Sequence, residues 1–308
     1  MPSDAEIRQA AELLRRGELV AFPTETVYGL GASALDPVAL GRIYAIKRRP
    51  LTSPLIVHVD SIDRARSLAA SWPDAAQQLA ERFWPGPLTL VVSKASDVPD
   101  IATAGLPTVG LRIPSHPVAL ALLRAAAIPV AAPSANRFTG LSPTRAEHVR
   151  RELGHQVAMV LDGGPCEVGI ESTVVSVAGG LPVLLRPGMI LPAEIEAVIG
   201  PLHRRPSDSP RHASPGLHPR HYSPRTRLLL AGARELPAGQ GIFLYLTQPH
   251  PIVYSQRLPN DPARFAAVLY DTLHRLDKQD WDWIAIEPPP DSSAWAPILD
   301  RLHRAATK

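Results

Sequence analysis

Several short polar clusters in this 308-residue chain hold residue types that bind anions. Ile46-Lys47-Arg48-Arg49-Pro50 sets three cations before a proline. Arginine offers a bidentate fork and lysine a point charge, so together they could hold a polyphosphate. The structural alternative is a helix end whose basic residues complement the dipole. In Thr108-Val-Gly-Leu-Arg-Ile113, strand alternation puts Val109, Leu111 and Ile113 on one face and Thr108, Gly110 and Arg112 on the other. If that second face lines a cleft, Arg112 can clamp a carboxylate or phosphate, and Gly110 lets a ligand lie close to the backbone. The run PVAAPSAN, residues 129–136, carries small residues into Ser134 and Asn136. These two can hydrogen-bond a nucleotide or a substrate, although polar residues after a strand also cap turns. Ser142-Pro143 reads as a helix N-cap with proline at the next position, and a helix N-terminus is also an anion site. Ile170-Glu-Ser-Thr173 and Leu185-Arg-Pro-Gly188 are polar insertions beside apolar strands, where Ser172 and Arg186 taken alone read as surface groups.

Residues 22–31, FPTETVYGLG, follow the apolar run Leu19-Val20-Ala21 and bring Thr24, Glu25 and Tyr28 to a strand end, with Gly29 and Gly31 turning the backbone. Gly29-x-Gly31-x-x-Ala34 has the spacing of a dinucleotide fingerprint but not its context. The glycines come several residues after the strand, and no acidic residue stands about 20 positions on to hold a ribose. GxxxxGK[ST], GxSxG and HExxH are all absent, so P-loop, nucleophile-elbow and zincin chemistry lack their residues.

The elements that must position these groups are legible from periodicity and caps. Ser3-Asp-Ala-Glu6 is a capping box opening a helix that faces Ile7, Ala10, Ala11 and Leu14 inward and closes at Gly17. Strand-like runs follow at 19–22, 54–59, 87–93, 108–113, 128–132, 157–161, 173–177 and 182–185, with helices between several of them. Asp36-Pro37, Ser61 and Ser142-Pro143 mark helix starts, and Val38, Ile43 and Ile46 form the apolar face of the helix that ends at Lys47. The expectation is a mixed α/β domain over residues 1–200, a linker over 201–226 and a smaller α/β domain over 227–308. The last has strands near 227–231, 241–246 and 282–286, and a helix from Asp261-Pro262 that buries Phe265, Val268, Leu269, Leu273 and Leu276.

The linker holds six prolines, and its histidines 203, 212, 218 and 221 read as a solvated tract, because no cysteines or regular spacing accompany them. It also carries the whole basic excess of the chain: net charge is +3, and 201–226 has five arginines against one aspartate. A single cysteine, Cys166, excludes an internal disulfide and reads as a packed or surface thiol. The N-terminus lacks an apolar signal core and no stretch is long enough to span a membrane, so a soluble, cytoplasmic protein is expected. An RNA- or tRNA-binding module is one reading, supported by the basic linker. Against it, residues 1–200 are nearly neutral and show no interleaved aromatic and basic stripe.

Taken together, FPTETVYGLG, Lys47-x-Arg49-Pro50, SPLIVHV, WPGPLTLV, VGLRIP, AAPSAN, GIESTVV and LLRPG resemble, in order and spacing across residues 10–200, the YrdC/Sua family of L-threonylcarbamoyladenylate synthases. SPGLHPRHYSP at 214–224 is similar to the linker of the two-domain Sua type. The resemblance implies a YrdC-like twisted mixed sheet forming an open cleft, followed by a small Rossmann-like domain. It further implies synthesis of threonylcarbamoyl-AMP from L-threonine, bicarbonate and ATP with release of pyrophosphate. The product would pass to downstream proteins that modify tRNAs reading ANN codons, with tRNA contact itself weak. By the same resemblance Thr24, His58, Arg112, Ala132 and Ser172 would surround threonine, with Arg112 on its carboxylate. Lys47, Arg49, Leu51, Thr108, Ser134, Asn136, Ser142, Arg186 and Tyr222 would surround ATP. Lys47, Arg49, Ser134 and Asn136 form the family's catalytic signature. Mg²⁺ would enter through the ATP phosphates, with no dedicated protein ligands.

Overall fold

The computed structural model describes residues 1–204, 221–232, 235–251 and 253–307. Its helices are α1 (Asp4–Arg15), α2 (Pro37–Lys47), α3 (Ile62–Ser67), α4 (Asp74–Phe83), α5 (Asp100–Thr103), α6 (Pro117–Ala126), α7 (Ala146–Leu153), α8 (Pro192–Ile199), α9 (Pro262–Leu276) and α10 (Ala296–Ala306). The strands of the larger sheet are β1 (Val20–Phe22), β2 (Gly29–Ser33), β3 (Ile56–His58), β4 (Leu88–Ser93), β5 (Thr108–Arg112), β6 (Val130–Ala131), β7 (Met159–Val160), β8 (Thr173–Ser176), β9 (Val183–Arg186) and β10 (His203–Arg204). They lie in the order β10-β9-β8-β4-β5-β3-β6-β2-β1-β7, with parallel and antiparallel pairs mixed. A second sheet has β11 (Arg227–Leu230), β12 (Gly241–Tyr245), β13 (Tyr254–Arg257) and β14 (Trp283–Ile286) in the order β11-β14-β12-β13, and every pair in it is parallel. The protein is thus mixed α/β, with one large mixed sheet and a smaller parallel one.

Local chemistry explains where many elements begin. Ser3 Oγ accepts the Glu6 N–H, and the Glu6 carboxylate accepts the Ser3 N–H at 2.8 Å, which satisfies two otherwise orphaned donors at the start of α1. The apolar stripe Ile7, Ala10, Ala11 and Leu14 then packs with α6 and one face of the large sheet, through Val20, Phe22 and Val130. The opposite face of the sheet carries the main core, with Ala21, Leu30, Val57, Leu90 and Leu111 against α2, α4 and α8. Strand alternation therefore sends Val109 and Leu111 into that core and leaves Arg112 free to face the other way.

Three sequence expectations are corrected here. Gly29 and Gly31 do not turn the backbone: both lie in β2, antiparallel to β1. A Cβ on Gly31 would come within 2.8 Å of the Phe22 ring and 3.0 Å of Val130, so close strand packing is what requires the glycine. The helix expected from Ser142-Pro143 begins at Ala146, because the Ser142 hydroxyl bonds the Glu171 carboxylate at 2.5 Å instead of capping. Val38 is 70% exposed; α2 buries Ala39, Leu40, Ile43, Tyr44 and Lys47.

In the second unit β13 and α10 escaped the sequence reading. β13 is a polar edge strand, and α10 carries an arginine in the middle of its buried stripe, so neither shows plain apolar periodicity. Part of the segment read as a linker is ordered structure. His203 and Arg204 pair with β9 in the large sheet. His221 and Tyr222 are buried, so His221 is not a solvated residue; His212 and His218 lie outside the described residues.

The two units share a core. Val27, Leu141 and Ile170 from the first unit, with Tyr222, join Phe265, Leu269, Leu273, Ile298 and Leu302 from the second in one apolar cluster. Gly169, at φ +78°, has the Ala266 carbonyl oxygen 2.3 Å from where a Cβ would sit, so α9 presses directly on this backbone. Beside it the His148 and His274 rings stack at 3.9 Å, and Asp271 pairs with Arg145 at 2.8 Å. No helix among the described residues is long and apolar enough to cross a membrane.

Candidate active site

The segments read as polar insertions converge on one cleft. Thr24, Thr26, Gly29, Arg49, His58, Arg112, Ala132, Ser134, Glu171, Ser172, Arg186, His221 and Tyr222 all face it. The sheet order explains the convergence: β3 sits between β5 and β6, with His58 beside Arg112 and Ala132 following β6 beside Ile56, so all three come to one cleft. β8 and β9 bring Ser172 and Arg186 next to them from the far side of β4.

Arg112 is 4% exposed and has a charged partner that sequence reasoning left without a role. Its Nη2 stands 2.7 Å from Glu25 Oε1, its Nη1 donates to the Thr26 hydroxyl at 3.0 Å, and its Nε donates to the Gly86 carbonyl at 3.2 Å. The Nη2 contact is close but poorly angled, so it is an ion pair and not a well-formed hydrogen bond. Glu25 is held from its other oxygen by the Ser115 N–H at 3.2 Å. Thr24 accepts the Thr26 and Val27 N–H groups and donates to the Val27 carbonyl, which folds the PTET turn tightly onto itself. Tyr28, also unassigned from sequence, donates its hydroxyl to the Gly164 carbonyl at 2.7 Å and so braces the wall from behind.

The three cations at the end of α2 separate. Arg48 takes a left-handed conformation, φ 51°, and its side chain stays exposed. That reversal sends Arg49 back into the protein, where it donates to the Ser53 and Pro54 carbonyls and lies 5.9 Å from the centre of the Phe138 ring. Burial lowers Arg49 to about 10. Lys47 is 1% exposed, and its ammonium donates to the backbone carbonyls of Ser134, at 2.6 Å, and Asn136. It braces the loop bearing the cleft serine rather than facing the cleft itself. Burial, followed by the nearby Arg49, pushes Lys47 well below its ordinary value. A left-handed arginine is strained where glycine is not, so Arg48→Gly should raise stability by about 0.5–1 kcal/mol and leave turnover unchanged. Urea titration and a steady-state assay check this.

Arg186 is buried and donates from Nε and Nη2 to the Ser172 carbonyl and hydroxyl, each at 3.1 Å, while Ser172 Oγ also meets Thr89 at 2.8 Å. Tyr222 enters the cleft from a left-handed backbone, φ 62°, with the His221 ring 4.1 Å from its own and Phe138 edge-on to His221 at 5.7 Å. Of the residues that the resemblance assigns to ATP, Lys47 and Asn136 lie behind the cleft wall and three others stand apart from it. Leu51 is 61% exposed, Thr108 pairs with Ser93 at the opposite end of β5 from Arg112, and Ser142 is engaged with Glu171. Asn136 is buried just behind the wall, with its amide N–H groups on the Arg137 and Gly140 carbonyls and its Oδ1 unpaired. Cys166 is buried and its thiol is pushed up by burial, which removes it from thiolate chemistry.

His58 is buried beside Arg112 and stays neutral, lowered to about 3 by burial and then by that arginine; its Nδ1 has no partner. His274 is likewise lowered to about 3, by burial and then by His148. His221 falls well below its ordinary value through burial and then Arg49. In each case the unfolded chain binds a proton near pH 6.5 that the folded chain refuses until far lower pH. Stability is therefore full above about pH 6.5 and falls as pH drops toward 3, by about 1.4 kcal/mol per pH unit for each such histidine. Urea midpoints should fall steeply between pH 7 and pH 5, and a flat profile would show that these rings are not buried neutral.

With the geometry in view, the chain can be set against known proteins. Residues 12–188 match the Sua5/YciO/YrdC family model, described as telomere recombination, and residues 190–307 match the C-terminal domain of threonylcarbamoyl-AMP synthase. The threonylcarbamoyl-AMP synthase of Bacillus subtilis is 43% identical over 99% of this chain and 94% of its own length. That of Pyrococcus abyssi is 49% identical over 66% of this chain and 59% of its own length. The crystal structure of P. abyssi Sua5 complexed with L-threonine superposes with a TM-score of 0.93 at 36% identity, over 99% of this chain and 95% of that one. The chain belongs to the Sua5/YciO/YrdC family, and with both units matched it is one of the two-domain members, the enzymes known as threonylcarbamoyl-AMP synthases.

Proposed function

We propose that this protein makes L-threonylcarbamoyl-AMP from L-threonine, bicarbonate and ATP, releasing pyrophosphate, in the cytoplasm, and that the product feeds threonylcarbamoyl modification of tRNAs reading ANN codons. The observation that carries the reading is the cleft's inventory: three buried arginines, two serines and two neutral histidines, with no activated nucleophile among the described residues. The threonine complex of P. abyssi Sua5, so similar in fold, supports threonine as a substrate.

The chemistry needs no more than this inventory. The threonine amine attacks bicarbonate carbon and water leaves, giving a carbamate. A carbamate oxygen then bonds the α-phosphorus as the bond to the bridging β-phosphate oxygen breaks, and pyrophosphate departs with both electrons. Such transfers depend on positioning and on balancing phosphate charge. Arg112 suits a carboxylate because its Nη2, although paired in charge with Glu25, has no well-formed hydrogen bond, and the free Nδ1 of His58 suits the threonine hydroxyl or amine. Arg49 and Arg186 suit the phosphates. The one carboxylate among the described cleft residues, Glu171, is tied to Arg301, and Glu25 beside the cleft is tied to Arg112, so the donor set fits Mg²⁺ carried on ATP oxygens rather than a protein cage. When bound there, it would offset charge on the departing pyrophosphate. The buried His221 and Tyr222 would shelter the labile carbamate from water.

The direct test follows pyrophosphate with ATP, Mg²⁺, bicarbonate and L-threonine present, and with each omitted in turn. Release that needs all of them is expected. No threonine-dependent release, together with tight salt-sensitive tRNA binding, would instead favour an RNA-binding module.

A further inference from the structure

We propose that Arg301, on α10 of the second unit, is a positioning residue for the cleft whose charge bears chiefly on the nucleotide. It cancels the charge of Glu171 and holds, by their carbonyls, the two loops that carry Ser172 and Arg186. The inference rests on the function proposed above, and it gives the C-terminal unit a part in the reaction.

Arg301 is fully buried, yet none of its partners in the first unit is near it in sequence. Its Nε meets Glu171 Oε2 at 2.9 Å, and its Nη2 donates to the Pro187 carbonyl at 3.0 Å and to the Glu171 carbonyl at 3.4 Å. Glu171 immediately precedes Ser172, and Pro187 immediately follows Arg186. One guanidinium thus grips both loops one residue away from their cleft side chains. Its Cζ also lies 5.3 Å from the centre of the Tyr222 ring, so the third cleft segment rests on it too.

The charge balance makes the arrangement more than packing. Glu171 faces the cleft, where a bare carboxylate would repel a triphosphate. The groups bonded to it are Arg301, the hydroxyl of Ser142 at 2.5 Å and the hydroxyl of Tyr270 at 3.3 Å; Arg186 acts on it through space, and Arg301 is the cation in direct contact with it. Asp300 contacts Arg301 at 2.7 Å but is shared with Arg304 at 3.0 Å, so it does not use up the charge of Arg301. Tyr270 and Arg301 both come from the second unit. A cleft built from the first unit alone would keep Glu171 and lose the cation bonded to it, with only Arg186 acting on it through space.

The test is a charge-rescue cycle read in steady-state kinetics. Arg301→Met bares Glu171 and should raise the KM for ATP at least tenfold, while the KM for threonine, a net-neutral zwitterion, moves less than threefold. Arg301→Met/Glu171→Gln removes the stranded charge and should return the ATP KM to within about threefold of wild type. A merely structural role predicts the reverse, a double variant as poor as the single or worse, and that result overturns the proposal, as does a wild-type ATP KM in the single variant. Should Arg301→Met fail to fold by circular dichroism, Arg301→Lys carries the test. It keeps the counter-charge but not the fork, so the ATP KM should stay within threefold while kcat falls about tenfold; kcat and ATP KM both at wild-type values would refute the assignment. Calorimetric titration of the same proteins with MgATP separates this inference from the broader one. If the wild-type protein binds ATP but releases no pyrophosphate, the proposed reaction fails, and the order of ATP affinities still decides the role of Arg301. Absence of ATP binding by the wild-type protein overturns both.

Discussion

Arg112→Ala should raise the threonine concentration needed for half-maximal pyrophosphate release by two to three orders of magnitude, and should also destabilise the fold. Both effects have one origin. Removing the guanidinium takes away the cation proposed for the threonine carboxylate and leaves Glu25, itself 4% exposed, as a buried anion. Truncating one partner of a buried charge pair costs about 2–5 kcal/mol, much of it from the stranded charge. At 1.4 kcal/mol per tenfold, that range spans the expected loss in threonine affinity. The two effects can be separated. Arg112→Ala/Glu25→Gln removes the stranded anion and should regain most of the stability measured in urea, but none of the threonine affinity. Recovery of threonine KM in the double variant would mean that Arg112 acts only as a counter-ion for Glu25.

Lys47→Ala should lower kcat/KM for ATP at least a hundredfold, again with a measurable loss of stability. A lysine in a basic run at a helix end suggests a side chain reaching for phosphate, whose removal would leave the fold intact. Its position in the structure changes the expectation. The ammonium is buried and satisfies the carbonyls of Ser134 and Asn136. Its loss strands two acceptors, at about 1–3 kcal/mol for each buried group left unpaired, and frees the loop that presents Ser134 to the cleft. Lys47→Arg should not rescue, because the larger guanidinium does not fit a slot in which lysine is already 1% exposed. A Lys47→Ala protein with wild-type stability and wild-type ATP kinetics would show that the loop holds its shape without the ammonium.

Much of the site is legible in the sequence. The alternation in TVGLRI put Arg112 on the face opposite Val109 and Leu111, and the structure has it there, because strand period is a property of the backbone. Thr24, Arg49, His58, Ala132, Ser134, Ser172 and Arg186 do meet at one cleft. The misreadings share a cause. Ser142 was read by its neighbour Pro143, but the stronger claim on its hydroxyl came from Glu171, 29 residues on. His221 was read by its proline- and arginine-rich surroundings, but Phe138 and Tyr222 buried it. Both are cases in which a local preference worth a few tenths to about 1 kcal/mol yields to burial and a tertiary partner.

The sequence by itself determined where helices start, which strand faces are apolar, and which residue types were available for chemistry, because caps and periodicity act over three or four residues. Only the tertiary structure decided how the charges are paired. Arg112 finds its hydroxyl partner Thr26 across 86 residues, and Arg301 finds Glu171 across 130. A charge in a buried site is tolerable only when an opposite one is brought to it, and which one arrives is settled by how the sheet and the second unit close on each other.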